Sequence, residues 1–146
     1  MGASLLMGMV AGMTAGTILA FLSHLAPRFG AGNFIPDTDQ PKLFGKKVSR
    51  REAHLIGLLV HILLSGIFGF AFALFVELGW LSDYAYVPML IWVVALTLFT
   101  GLVVMPLEGH GFFGRKHDAW FIVDALITNV LWGHLFLVLL RVWMLR

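Results

Sequence analysis

His54-Leu-Ile-Gly57-Leu-Leu-Val-His61-Ile-Leu-Leu-Ser65-Gly-Ile-Phe-Gly69-Phe-Ala-Phe-Ala73-Leu-Phe75 is apolar for about the length that crosses a bilayer as a helix, roughly 17–25 residues. Three more runs share that length and character, at 5–25, 87–105 and 119–140. Hydrophobic residues make up 60% of the chain and charged residues 12%, with a mean hydropathy of +0.91. A water-soluble domain of this size carries about 25% charge. The pattern predicts an all-α integral membrane bundle of four transmembrane helices. It forms one domain over residues 1–146, with spans at about 5–25, 52–77, 87–106 and 118–143. The bilayer then acts as solvent, so each polar residue inside a span needs a partner or a purpose.

Charge orients the bundle. The loop at 27–50 and its edge hold Arg28, Lys42, Lys46, Lys47, Arg50 and Arg51, and the third loop holds Arg115 and Lys116. The second loop and the tail before Leu5 hold no basic residue, and Arg141 and Arg146 lie at the C-terminal end. The positive-inside rule puts the first and third loops in the cytoplasm and both termini outside, an N-out/C-out topology. The basic loop reads as an orientation signal meeting anionic lipid. Nucleic acid is not an expected partner, because no aromatic residues interleave with the cluster. The absence of cysteine removes disulfide redox chemistry, thiolate metal sites and cysteine nucleophiles together. The first run lacks a basic leading segment and is too long for a signal-peptide core, so it reads as a mature span.

Small residues mark a helix-packing seam. Gly8, Gly12 and Gly16 stack on one face of the first helix, and Gly57, His61, Ser65, Gly69 and Ala73 recur every four residues on the second. Such stripes let helix backbones approach closely and are expected to face protein rather than lipid. They serve either packing within the bundle or an oligomer seam. Ser49-Arg-Arg-Glu52 fits a capping box at the start of the second helix. Trp80, Tyr84 and Tyr86 sit where an aromatic belt would lie. The first helix should end near Pro27. Asp118 is a plausible N-cap for the last helix. Asp37 and Asp39 are spaced for a hard cation but lack the rest of a calcium loop, so they read as a solvated turn. In the turn after Pro106, Phe112 and Phe113 are expected to dip back into the interface.

The polar residues of the spans converge on the cytoplasmic half. His24, His54, Glu108, His110, His117 and Asp118 fall at that boundary. His61 lies about 10–15 Å deeper on the second helix and Asp124 about 10 Å deep on the fourth, at 1.5 Å per residue. Asn129 lies deeper still, and His134 stands apart near the outer end. A carboxylate at a helix centre costs roughly 2.5–3.5 kcal/mol, so Asp124 is expected to be protonated or paired. His61, Glu108, His110, Asp124 and Asn129 form the candidate polar or ligand site. It reads either as interhelical hydrogen bonding or as a proton, metal or haem/pigment site. No cofactor is assigned: a metal would need ligands from several helices, and a haem would need one axial histidine, His61 or His134. No serine sits in a nucleophile elbow and no phosphate-cradling loop appears, so no complete catalytic set is visible and an enzyme ranks last.

The glycine-seamed first helix, the segment His61-Ile-Leu-Leu-Ser-Gly66-Ile-Phe-Gly69 and the ending Met105-Pro-Leu-Glu-Gly109-His-Gly111-Phe-Phe-Gly114 resemble a family of small prokaryotic membrane proteins with four spans. The resemblance covers most of the chain. It implies a four-helix fold and a multi-pass place in a bacterial or archaeal cytoplasmic membrane, with no established activity. In such proteins a histidine often precedes the Trp-Gly pair of the last helix, whereas here the segment reads Asn129-Val-Leu-Trp132-Gly133-His134. The leading expectation is a membrane subunit or scaffold that forms a homo-oligomer, or docks on other membrane subunits, through its glycine seams. The alternative is a transporter-like or cofactor-binding bundle built on the polar site.

Overall fold

Each apolar run forms a helix in the computed structural model, which describes residues 2–25, 42–43, 46–47, 49–107, 111–115 and 120–144. The long helices are α1 (Gly2–Leu25), α2 (Arg50–Glu77), α3 (Tyr86–Phe99) and α5 (Phe121–Met144). Within them, Ser4–Leu22, Leu55–Glu77, Tyr86–Val103 and Phe121–Trp143 are long and apolar enough to cross a membrane. α3 continues through a π turn (Thr100–Val104) into the short α4 (Met105–Leu107). Before α2, β1 (Lys42–Leu43) and β2 (Lys46–Lys47) pair antiparallel, with Lys42 opposite Lys47 and Leu43 opposite Lys46.

Local chemistry sets the helix ends. The Ser49 hydroxyl accepts the Glu52 backbone N–H at 3.2 Å, and the Glu52 carboxylate accepts the Ser49 backbone N–H at 2.9 Å. This is the expected capping box, and it satisfies donors that the first turn leaves open. The Ser49 N–H, and then its hydroxyl, hold the Glu52 carboxyl below its ordinary range. After Glu77 the chain reverses through Gly79 at φ 75°, a conformation that glycine adopts without a Cβ clash. The π turn has its own cause. Pro106 offers no N–H and its ring would meet the carbonyl four residues back, at Leu102, so the widened turn relieves the clash. α5 is first described as helix at Phe121, and Asp118 lies outside the described residues.

The helices run up, down, up, down. α1 packs on α2 and α5, and α5 packs on α3. On the fourth side rings span the wider gap between α2 and α3. Phe68 meets Phe99 at 6.4 Å, and Trp92 meets Phe72 at 6.2 Å and Phe75 at 5.2 Å. Phe72, Phe136, Met89, Val93 and Leu140 are fully enclosed, with Ala11 and Ala15 beside them. The outward faces are also apolar: Val87 is 67% exposed, Ile91 60% and Leu59 58%. Helices that are apolar on every side need an apolar surrounding.

The closest approach is the α1–α2 seam. A Cβ on Gly8 would stand 2.7 Å from the Gly69 carbonyl oxygen and 2.8 Å from the Ala73 Cβ. One on Gly12 would overlap the Ser65 carbonyl, and one on Gly16 the Ser65 side chain. α5 locks onto this pair. Trp132 Nε1 donates to the Gly12 carbonyl at 3.3 Å, and its ring stacks on Phe136 at 5.2 Å. Trp132→Phe keeps the ring mass and removes the donor, so it should cost about 1 kcal/mol. Thermal unfolding in detergent measures this, and an unchanged midpoint would deny the bond a role.

Candidate functional site

The stripe on α2 divides. Ser65, Gly69 and Ala73 are buried against α1. Gly57 and His61 leave that seam: both are exposed, and a Cβ on Gly57 would meet nothing within 4 Å. Within the chain the expected packing of the stripe is thus seen from Ser65 to Ala73, with His61 at its edge. The cause is geometric. The seam is tight from Gly8 to Gly16, and His61 stands where it ends. Its ring turns to the Gly16 backbone, with Nε2 3.8 Å from where a Gly16 Cβ would stand.

Asp124 lies in the first turn of α5 and is exposed. Asn129 is half-buried, and its amide donates to Thr97 Oγ1 at 3.0 Å, while Thr97 Oγ1 donates to the Val93 carbonyl at 2.8 Å. That chain joins α3 to α5 and satisfies the Thr97 hydroxyl as donor and acceptor, so it reads as packing. Thr14 and Thr17 likewise return their hydroxyls to Val10 and Met13, each at 2.8 Å, a local bond that hides a hydroxyl within its own helix. Glu108, His110, His117 and the Asp37/Asp39 pair lie outside the described residues, as do the side chains of His24 and His54. Among the described residues no three His, Asp or Glu side chains gather as a metal would need.

At the other end the aromatic belt is only partly a belt. Trp80 is 71% exposed and Tyr86 is exposed, meeting His134 edge-on at 6.2 Å. Tyr84 instead turns inward onto Phe72 at 6.0 Å, and its hydroxyl is buried. Burial pushes the phenol pKa up, the Glu77 charge adds to this, and the Ser4 hydroxyl opposes both. Trp92 Nε1 is buried near the same ring with no hydrogen-bond partner among the described residues.

Two contacts escape a sequence reading. One is Trp132 with the Gly12 carbonyl, whose only signal is that a buried indole N–H requires an acceptor. The other is Phe113. It was expected, with Phe112, to dip into the membrane interface, and its ring instead fills the space that a Gly101 side chain would take. Phe112 stays 65% exposed. Phe113 adopts φ 55°, ψ 26° to do so, a left-handed conformation uncommon outside glycine. No protein-family model, curated protein or solved structure matches the chain.

Proposed function

We propose that this chain is a small integral membrane subunit or scaffold. Its four helices cross a prokaryotic cytoplasmic membrane, with the loop at 27–50 and the third loop, which holds Arg115 and Lys116, in the cytoplasm and both termini outside. It docks on another membrane chain or a second copy of itself through the α2 face that carries Gly57 and His61. The observation that carries this reading is His61 exposed within an apolar span, four residues from a glycine with open space above it. Gly8, Gly12, Gly16, Ser65 and Gly69 are occupied inside the chain, so an assembly needs a different face. A polar side chain next to a small residue is the pairing that holds helices together in lipid. His61 already turns one edge to the Gly16 backbone, and its remaining exposed edge is where a partner would relieve the cost of a polar ring in hydrocarbon.

Gly57→Leu and His61→Leu should each raise the dissociation constant of the assembly by about threefold or more, the scale of one interhelical hydrogen bond in a membrane. Native mass spectrometry after gentle extraction reads the stoichiometry. A wild-type chain found alone, or variants that assemble as well as wild type, would defeat the docking reading. The second reading is a flat cofactor seated over Gly57 with His61 as its axial ligand. It is favoured by the same open space, and a visible absorption band that disappears in His61→Leu would select it.

A further inference from the structure

The two ring nitrogens of His61 are not equivalent in this fold. Nε2 is the one turned to α1. It stands 3.8 Å from where a Gly16 Cβ would be, and the ring bonds to the Gly16 backbone. Within a helix each N–H is committed to the carbonyl four residues back. The group that Gly16 offers sideways is therefore its carbonyl oxygen, which has a second lone pair. Facing that oxygen, Nε2 carries a proton and donates it. The uncharged ring, which the ordinary imidazole pKa of about 6.5 favours at neutral pH, then has a bare lone pair on Nδ1. The remaining exposed edge of His61 is an acceptor.

That lone pair selects what can cover it. Nδ1 is bonded to the ring carbon that carries Cβ, so a flat macrocycle held there would press on α2. Nε2, the outer nitrogen, is already held by Gly16. A second copy set face to face brings another Nδ1, and two facing acceptors leave each other unsatisfied. On its other faces a copy offers little. Thr14, Thr17 and Thr97 return their hydroxyls to carbonyls of their own helices, and the Asn129 amide donates to Thr97. Thr100 and Thr128 remain, both half-buried. What fits is a helix of another chain with a donor to give. Gly57, one turn before His61, has nothing within 4 Å of its Cβ position, so such a helix can come close enough for the bond.

We infer that the partner on the α2 face is a different membrane chain, whose helix sets a hydrogen-bond donor (a hydroxyl, or an amide or indole N–H) against Nδ1 of His61. This rests on the docking reading and adds the chemistry of the partner. Solid-state NMR of the full chain in lipid bilayers, with isotope-labelled histidine, reads the ring directly, and His61→Asn identifies its signal by loss. A proton on Nε2 and a bare Nδ1 are expected. Native mass spectrometry of assemblies gently extracted from their own membrane reads the partner. An asparagine oxygen reaches the position of Nδ1, and a glutamine nitrogen reaches that of Nε2. His61→Asn should therefore hold a second, different chain as wild type does. His61→Gln, which keeps a donor for Gly16, should weaken the assembly about threefold or more. Thr100→Val and Thr128→Val should assemble like wild type. The inference is overturned by a proton on Nδ1, by added mass that is a further copy of this chain, or by loss of assembly in either threonine variant. It also falls if His61→Gln assembles like wild type while His61→Leu does not, and docking through His61 then stands without the donor. A wild-type chain found alone removes the docking reading and the partner together, whatever the ring shows.

Discussion

Gly12→Ala should destabilise the bundle by about 3 kcal/mol, the upper end of the usual cost of overpacking. The added methyl meets the Ser65 carbonyl and, at 3.2 Å, the Gly69 Cα. Both are backbone atoms, so no rotamer change makes room, and α1 and α2 must move apart. That movement also draws the Gly12 carbonyl away from Trp132, so the damage spreads to α5. Gly57→Ala is the matched control. It adds the same methyl where nothing lies within 4 Å, and should stabilise α2 by up to about 1 kcal/mol through helix propensity. Reversible unfolding in mixed micelles compares the two. If both variants lose stability equally, the seam does not hold the bundle. In the proposed assembly Gly57→Ala becomes doubly informative, since it should leave the single chain at least as stable while crowding the docking face.

Phe72→Ala should cost about 3 kcal/mol. Phe72 is fully buried and meets Tyr84 and Phe136 edge-on and Trp92 at a tilt, with ring centroids at 6.0, 5.6 and 6.2 Å. In a water-soluble core such a truncation costs about 3–5 kcal/mol, part of it lost transfer from water and part the cavity left behind. In lipid the transfer part shrinks, because the displaced side chain leaves one apolar medium for another. The cavity part remains, and the low end of the range follows. The truncation also removes the ring that ties Trp92 of α3 and Tyr84 of the connecting turn to α5. The tryptophan emission of the folded protein should therefore change along with the unfolding midpoint. A midpoint within about 1 kcal/mol of wild type would mean that neighbouring rings collapse into the gap.

Much of the architecture was legible because its causes are local. The four apolar runs became the four long helices. Ser49 and Glu52 make the capping box that their spacing announces. Ser65 and Gly69 meet α1, as small residues at four-residue spacing suggest. What failed depended on relations between helices. Periodicity names a face of α2 but not the point where α1 diverges from it, so it could not show that within the chain the contact reaches His61 and stops short of Gly57. Asp124 was counted about 10 Å into its span from a helix start near Asp118, whereas α5 is described from Phe121, with Asp124 in its first turn and exposed. Tyr84 was assigned to a belt by its position near a span end, yet the reversal after Gly79 carries it onto Phe72. Asn129 makes an interhelical hydrogen bond, one of the two readings of the polar site, but its partner, Thr97, lies on another helix at a distance that no sequence spacing encodes.

The tightest contacts of the fold join neighbours in the chain. Gly8, Gly12 and Gly16 find Ser65, Gly69 and Ala73 on the next helix, whereas Trp132 reaches Gly12 from far along the sequence. During synthesis the α1–α2 hairpin has every atom of its seam before α3 leaves the ribosome. The hairpin can therefore close on its own contacts, with the backbone of its seam already packed. The last helix then finds a finished surface to dock on, and the Gly12 carbonyl works as a latch that closes only when the final span has arrived.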